Sequence, residues 1–308
     1  TVEPDGGFYG AFRATPFSDA YLLRFAEELV RAEHLGQRDH LDYLAIGLSA
    51  LDLVGHSFGP RSREVADVIL RLDAELGTFL DELDATVGLD RVVIAVSSDH
   101  GVAPVPEISA TLGLPGRRAT NEDALCFQNA GVTVGGRFGL DDLVLRGLYL
   151  DRDAIEAAGL EPREVEAALA RELEKCDIVA RAWTRSELEA TRSDEPERFR
   201  RLFRHSFDPE RSADILLQLT EYSLPLTGAF TTHGSPYPYD TRVPLIFRLP
   251  GTDATRIDAA VRTVDTAPTL AALLGIPAPT GLDGVDLSTQ LREHAAIPDL
   301  SAYSGAAP

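Results

Sequence analysis

The chain has 308 residues, enough for one large α/β domain or a large domain carrying a smaller insertion. Apolar residues make up 44% and charged residues 25%, an ordinary globular balance, and no apolar run approaches the roughly 18 residues of a membrane-crossing helix. With 49 acidic against 29 basic residues the formal charge is −20, which repels nucleic-acid backbone and anionic membrane, so a phosphate-bearing ligand needs local positive charge of the kind a metal cluster supplies.

The chain begins Thr1-Val-Glu-Pro, and it contains no Met at all. It reads as a processed or excised piece of a longer protein. The first element expected is a helix over about 17–31, with Thr15 as cap, Pro16 in its first turn, and Phe17, Tyr21, Phe25 and Leu29 recurring on one face. Residues 41–49 form a short, mostly apolar run of the buried parallel-strand kind. After Pro60, Val65, Ile69, Leu72, Leu76, Phe79 and Leu83 repeat at helical spacing, with Gly88 beyond the end. Residues 91–97 read as a second buried strand, so strand, helix and strand make a βαβ unit with parallel strands.

From 104 to 226 the pattern changes to short β-like runs at 143–150, 178–183 and 213–220 around a helix near 163–175, with an Arg- and Glu-rich stretch at 184–204. This reads as an α+β cap inserted into a metal-binding α/β core of residues 1–103 and 227–308. The core resumes with a strand at 243–247 and a helix at 261–274, and residues 301–308 read as a frayed end. Cys126 and Cys176 fall in no metal-ligand spacing, and one disulfide between them is compatible with the sequence.

Ligands of parallel α/β sheets gather beyond the carboxyl ends of strands, so polar residues just after Ser49 and Ser97 carry the chemistry to examine. Asp52 and His56 stand four apart in a Gly-containing turn, and Asp99 and His100 are adjacent where a strand ends. His233 adds a third imidazole from far along the chain. Imidazole and carboxylate are the usual nitrogen and oxygen ligands of catalytic zinc, and five such groups are too many for one open zinc site, which suggests two ions. Asp240 and Arg242 are candidates to support these ligands from behind. His34, His40, His205 and His294 read as solvated, Phe58, Tyr237 and Tyr239 as loop-packing or pocket-lining aromatics, and Trp183 as packing.

Asp52, Gly55, His56 and Gly59-Pro60, Asp99-His100-Gly101, His233-Gly234-Ser235 with Asp240-Thr-Arg-Val-Pro244, and Thr263-Val-Asp-Thr-Ala-Pro-Thr-Leu270 together resemble the alkaline phosphatase superfamily, in its branch of type I phosphodiesterases/nucleotide pyrophosphatases and Thr-nucleophile phosphatases. The resemblance spans about 17–291. It implies a three-layer α/β/α sandwich on a mostly parallel sheet, and two zinc ions, one held by Asp52, His56 and His233 and the other by Asp99 and His100 with two further ligands. Those two, an Asp and the nucleophilic Thr, precede this region in the family, and residues 1–41 contain no match for either. The implied function is hydrolysis of small phosphate monoesters or diesters, with the preceding segment as a further partner and a periplasmic or secreted parent. The sulfatases of the same superfamily need a Cys or Ser element that neither Cys126 nor Cys176 fits. The competing reading is a metal-binding but catalytically inactive fragment or pseudoenzyme.

Overall fold

The computed structural model describes residues 4–192, 194–226 and 228–293. His294 and the frayed end expected at 301–308 lie outside the described residues. The chain divides into two compact units, one running up to Gly101 and resuming at Arg242, the other Val102–Thr241. The insertion expected at 104–226 lies inside the second unit, which also takes in His233 and Asp240.

The first unit opens with α1 (Gly6–Arg13), capped by Asp5, whose carboxylate accepts the Phe8 N–H at 2.9 Å. The helix expected over 17–31 is α2 (Pro16–Ala32), with Pro16 in its first turn. Its buried face differs from the expected one. Asp19, Leu23, Ala26 and Val30 face inward, at the i, i+4, i+7, i+11 spacing that keeps to one side of a 3.6-residue helix, whereas Phe17, Tyr21 and Phe25 are exposed. The strict four-residue spacing of those aromatics drifts around the helix, and two of them make contacts on the surface instead. Tyr21 meets Phe12 edge-on with centroids 6.4 Å apart, and the Arg71 guanidinium lies 6.0 Å over Phe17.

Residues 41–49 run extended into α3 (Ala50–Phe58), and α4 (Arg63–Thr86) follows, its first turn capped by the Ser62 hydroxyl, which accepts the Val65 N–H at 3.1 Å. Along the extended run Leu44, Ile46 and Leu48 pack against Leu23, Ala26 and Phe79, while the alternate residues point outward. Yet among the described residues no strand ladder includes this run, so the strand expected there is extended chain without strand pairing. The side-chain half of a strand is built; the backbone half is not. On α4, Val65 and Phe79 of the expected row are buried, but Val68, outside that row, is buried with them while Ile69 stays half exposed. The second expected strand is β1 (Ile94–Ser97).

In the second unit come α5 (Pro106–Thr111) and α6 (Asn121–Phe138), the latter opened by a reciprocal capping box between Thr120 and Asp123. Then follow α7 (Arg152–Ala157), α8 (Pro162–Leu173), β2 (Val179–Thr184), α9 (Arg185–Glu189), α10 (Arg198–Ser206), β3 (Ile215–Leu219) and α11 (Pro238–Thr241). The β-like run at 143–150 is a turn closed by a single bridge between Val144 and Leu150. β2 and β3 pair antiparallel, and Val134, Leu143, Ile155, Val165, Leu169, Leu173, Ala182 and Ile215 form the core of this unit. Two buried carboxylates, Glu166 and Asp214, are held by Arg152, and Asp214 also by Arg185, whose Nε donates to it at 2.8 Å. Cys126 of α6 and Cys176 beyond α8 form a disulfide.

The chain returns to the first unit with β4 (Leu245–Arg248), a 3₁₀ turn at Thr263–Asp265, α12 (Thr266–Leu273) and α13 (Ser288–Glu293). β4 pairs with β1 antiparallel, Ile94 opposite Arg248 and Ser97 opposite Leu245. The parallel βαβ pairing expected for β1 is therefore not formed among the described residues, because its intended neighbour, 41–49, enters no ladder.

Candidate metal centre

In the first unit the ligand candidates sit on α3 and on the loop that leaves β1. Asp52 lies in the first turn of α3 and His56 one turn later, so helical geometry stacks them on one face. The His56 Nε2 and an Asp52 oxygen are 3.4 Å apart, with the two side chains 26% and 39% exposed. Helix α3 stops at Gly59, whose φ of +84° only glycine adopts without strain, and whose N–H bonds back to the Gly55 carbonyl at 2.8 Å.

His100 is held differently. Its Nδ1 lies 2.8 Å from the Gly101 carbonyl, an acceptor only, so Nδ1 carries a proton and Nε2 is the nitrogen that would face a cation. A ligand atom of His100 also lies within 4.8 Å of one on Asp52. Two groups expected in different zinc sites therefore approach each other, as adjoining metal sites require. Asp99 is 84% exposed, accepts the His100 N–H at 3.0 Å, and has an oxygen 3.5 Å from His100 Nε2. The donor set of carboxylate and imidazole, with one imidazole tautomer fixed by a carbonyl, fits zinc.

His233 belongs to the second unit and is half-buried. The loop before it is tied down by Thr231, whose hydroxyl donates to the Ala103 carbonyl at 2.6 Å, and by Thr232, whose carbonyl accepts the Ala103 N–H at 3.1 Å. Gly234, at φ +101°, turns the chain after His233. Asp240 is buried and accepts the Ser235 N–H at 2.7 Å, while its Oδ1 meets no hydrogen-bond partner among the described residues. Tyr239 stacks on Tyr222 and Tyr237, and burial pushes its phenol up to about 12. Arg242, in the first unit, is exposed.

Sequence reasoning passed over Asp19. Its Oδ1 accepts the N–H groups of Ser49 and Ala50, each at 3.2 Å, where α3 begins. The signal available was a carboxylate in register with the apolar row Leu23, Ala26 and Val30.

These features place candidate carboxylate and imidazole ligands at the end of a strand and in the first turns of a helix. Residues 10–231 match the type I phosphodiesterase / nucleotide pyrophosphatase family, and the chain belongs to it. It is 35% identical over 291 residues to the alkaline phosphatase PhoK of a Sphingomonas species, covering 89% of this chain and 51% of that protein. To the alkaline phosphatase PafA of Elizabethkingia meningoseptica it is 30% identical over 280 residues, covering 89% of this chain and 50% of that protein. The crystal structure of wild-type PafA superposes with a TM-score of 0.80 at 28% identity, over 91% of this chain and 54% of that one. The fold is thus the α/β fold of the alkaline phosphatase superfamily, and the chain spans about half the length of the curated relatives it matches.

Proposed function

We propose that this chain carries the metal-holding part of a zinc-dependent phosphate ester hydrolase. Asp52, His56 and His233 would hold one ion, and Asp99 and His100 would contribute to a second. Asp240 would secure the His233 loop through Ser235, and Arg242 would stand near it in sequence as a further support. The observation that carries this reading is the approach of Asp52 to His100, with the His100 tautomer set by the Gly101 carbonyl. For His233, support comes from the ties of Thr231 and Thr232 to Ala103, only three positions beyond His100 in sequence. When bound, such ions supply charge stabilisation for a phosphoryl group in an otherwise acidic protein.

This chain's own residues would position the ions; the nucleophile and the segment carrying it would come from the part of the protein not spanned here. Substrates would be small phosphate esters, as alkaline phosphatase and phosphodiesterase relatives suggest. The Cys126–Cys176 disulfide favours an oxidising compartment, periplasmic or extracellular. No helix among the described residues is long and apolar enough to cross a membrane.

The test is zinc content of the purified chain beside a His56→Ala variant, with hydrolysis of p-nitrophenyl phosphate and bis-p-nitrophenyl phosphate measured on the longer protein. Zinc retained by the wild type and lost from the variant is expected, with ester hydrolysis in the longer protein. A zinc-binding chain whose longer protein turns over neither ester would favour the inactive reading, and no zinc in carefully prepared wild type would sink the metal reading altogether.

A further inference from the structure

Helix α3 brings Asp52 and His56 to the centre, yet its own cap residue does little to secure it. Ser49 makes no side-chain cap hydrogen bond, and the run before it, residues 43–48, makes no backbone hydrogen bond among the described residues. What holds the start of α3 comes from another helix. Asp19 of α2, 4% exposed, directs Oδ1 at the Ser49 and Ala50 N–H groups, 3.2 Å from each. A carboxylate buried on the apolar face of a helix is unfavourable unless it is hydrogen-bonded, and a helix N-terminus, with orphan N–H groups and a positive dipole end, is among the few places that compensate it. Its other oxygen, Oδ2, is buried with no hydrogen-bond partner among the described residues, so the bonds seen for this carboxylate are those of Oδ1.

We propose that Asp19 is a positioning residue for the metal centre, fixing the origin of α3 and through it the placement of Asp52 and His56. This rests on the metal reading above and extends it to a residue that touches no ligand atom of the site. Asp52 lies two residues beyond Ala50, so a shift of the first turn moves its carboxylate directly, and with it the approach to His100. His56, one turn on, moves as part of the same rigid helix. The Ser49 hydroxyl, the other acceptor at the start of α3, makes no cap hydrogen bond, so the acceptor there is Asp19.

The test is zinc affinity of the metal-free wild type, Asp19→Asn and Asp19→Ala, read by competition with a chromophoric chelator at a temperature where circular dichroism shows each folded. Asparagine keeps an acceptor oxygen and alanine removes it. The expected result is a loss of about 10- to 100-fold in Asp19→Ala, the range seen when residues that orient metal ligands are removed, with Asp19→Asn within a few-fold of wild type. Should Asp19→Ala fail to fold, Asp19→Ser, which cannot reach both amides, is measured the same way with the same expectation. A folded Asp19→Ala or Asp19→Ser with wild-type zinc affinity would overturn the proposal and leave Asp19 a purely structural residue. Asparagine as weak as alanine would overturn the hydrogen-bond account. If the wild type itself binds no zinc, the metal reading fails along with this one, and the wild-type control separates that case from the others.

Discussion

At the scale of single residues, carboxylates in this chain sit in two different surroundings, and their neighbours decide what each can do. Asp52 and Asp99 are partly or largely exposed beside imidazoles, where a cation has access. Asp123 is buried, and both its oxygens are taken by Arg117, at 2.6 and 2.7 Å. That bidentate bond holds the Asp123 carboxyl far below the usual carboxylate range, against the opposing push of burial and helped by the Thr120 N–H. The sign follows. Unfolded, the group titrates near 3.9; folded, it titrates lower, so its contribution to stability is complete above about pH 4 and is lost as the pH falls below that. Asp123→Asn should therefore lower stability at neutral pH by about 1 kcal/mol, a figure reduced for solvent screening because the Arg117 side chain is 43% exposed. Chemical denaturation across pH 2–8 checks it: the gap between wild type and variant should narrow below about pH 4. A gap independent of pH would mean that the Arg117 bond contributes nothing through its charge. Asp52, His56, Asp99, His100 and His233 stand out as candidates in the sequence because their motifs are local and ordered; Asp19 is marked only by its place in an apolar row, and its partners, about thirty residues away, are not legible until two helices meet.

At the scale of elements, periodic helices were readable and the rest depended on tertiary partners. α2, α4 and α8 carry enough apolar repeat to declare themselves, although in α2 the aromatic spacing pointed to the wrong face. α6 went unread because Gly131, Gly135 and Gly136, with Val132, Thr133 and Val134, give it weak helical propensity and little amphipathic contrast. Its existence is a packing outcome. A Cβ on Gly131 would meet Val144 at 2.9 Å and one on Gly135 the Leu140 carbonyl at 2.5 Å, so the small residues let the following turn lie close. The Cys126–Cys176 bond then ties α6 to the chain beyond α8, closing a loop of 50 residues. By loop-closure entropy such a link is worth about 4 kcal/mol, acting mainly on the unfolded state. A Cys126→Ser/Cys176→Ser variant, or reduction of the wild type, should lower the stability of the second unit by an amount of that order, read as a shift in urea midpoint with near-native circular dichroism before unfolding. Equal midpoints for oxidised and reduced protein would show that the covalent link adds nothing to contacts already made by Ala119, Ile178 and Val179.

At the scale of the whole molecule, the first unit has the features of a sheet built from one side only. Residues 43–48 alternate like a strand and pack Leu44, Ile46 and Leu48 inward, yet their N–H and C=O groups have no hydrogen-bond partner among the described residues. Backbone groups in a strand-like run are ordinarily paired, and an unpaired run is an open template for another strand. In the same unit, α1 and α2 display Phe8, Tyr9, Phe17, Tyr21 and Phe25, all exposed. Relatives about twice as long as this chain make a strand from the unspanned part of the protein the occupant we propose, rather than a second copy. Amide hydrogen exchange decides between them. In this chain alone the amides of residues 43–48 should exchange close to the unprotected rate, independent of protein concentration, and in the longer protein they should slow by orders of magnitude. Protection that grows with the concentration of this chain would instead point to pairing between copies. Protection already present in the dilute isolated chain would mean that the run finds a partner within it, and the idea of an external strand would fall.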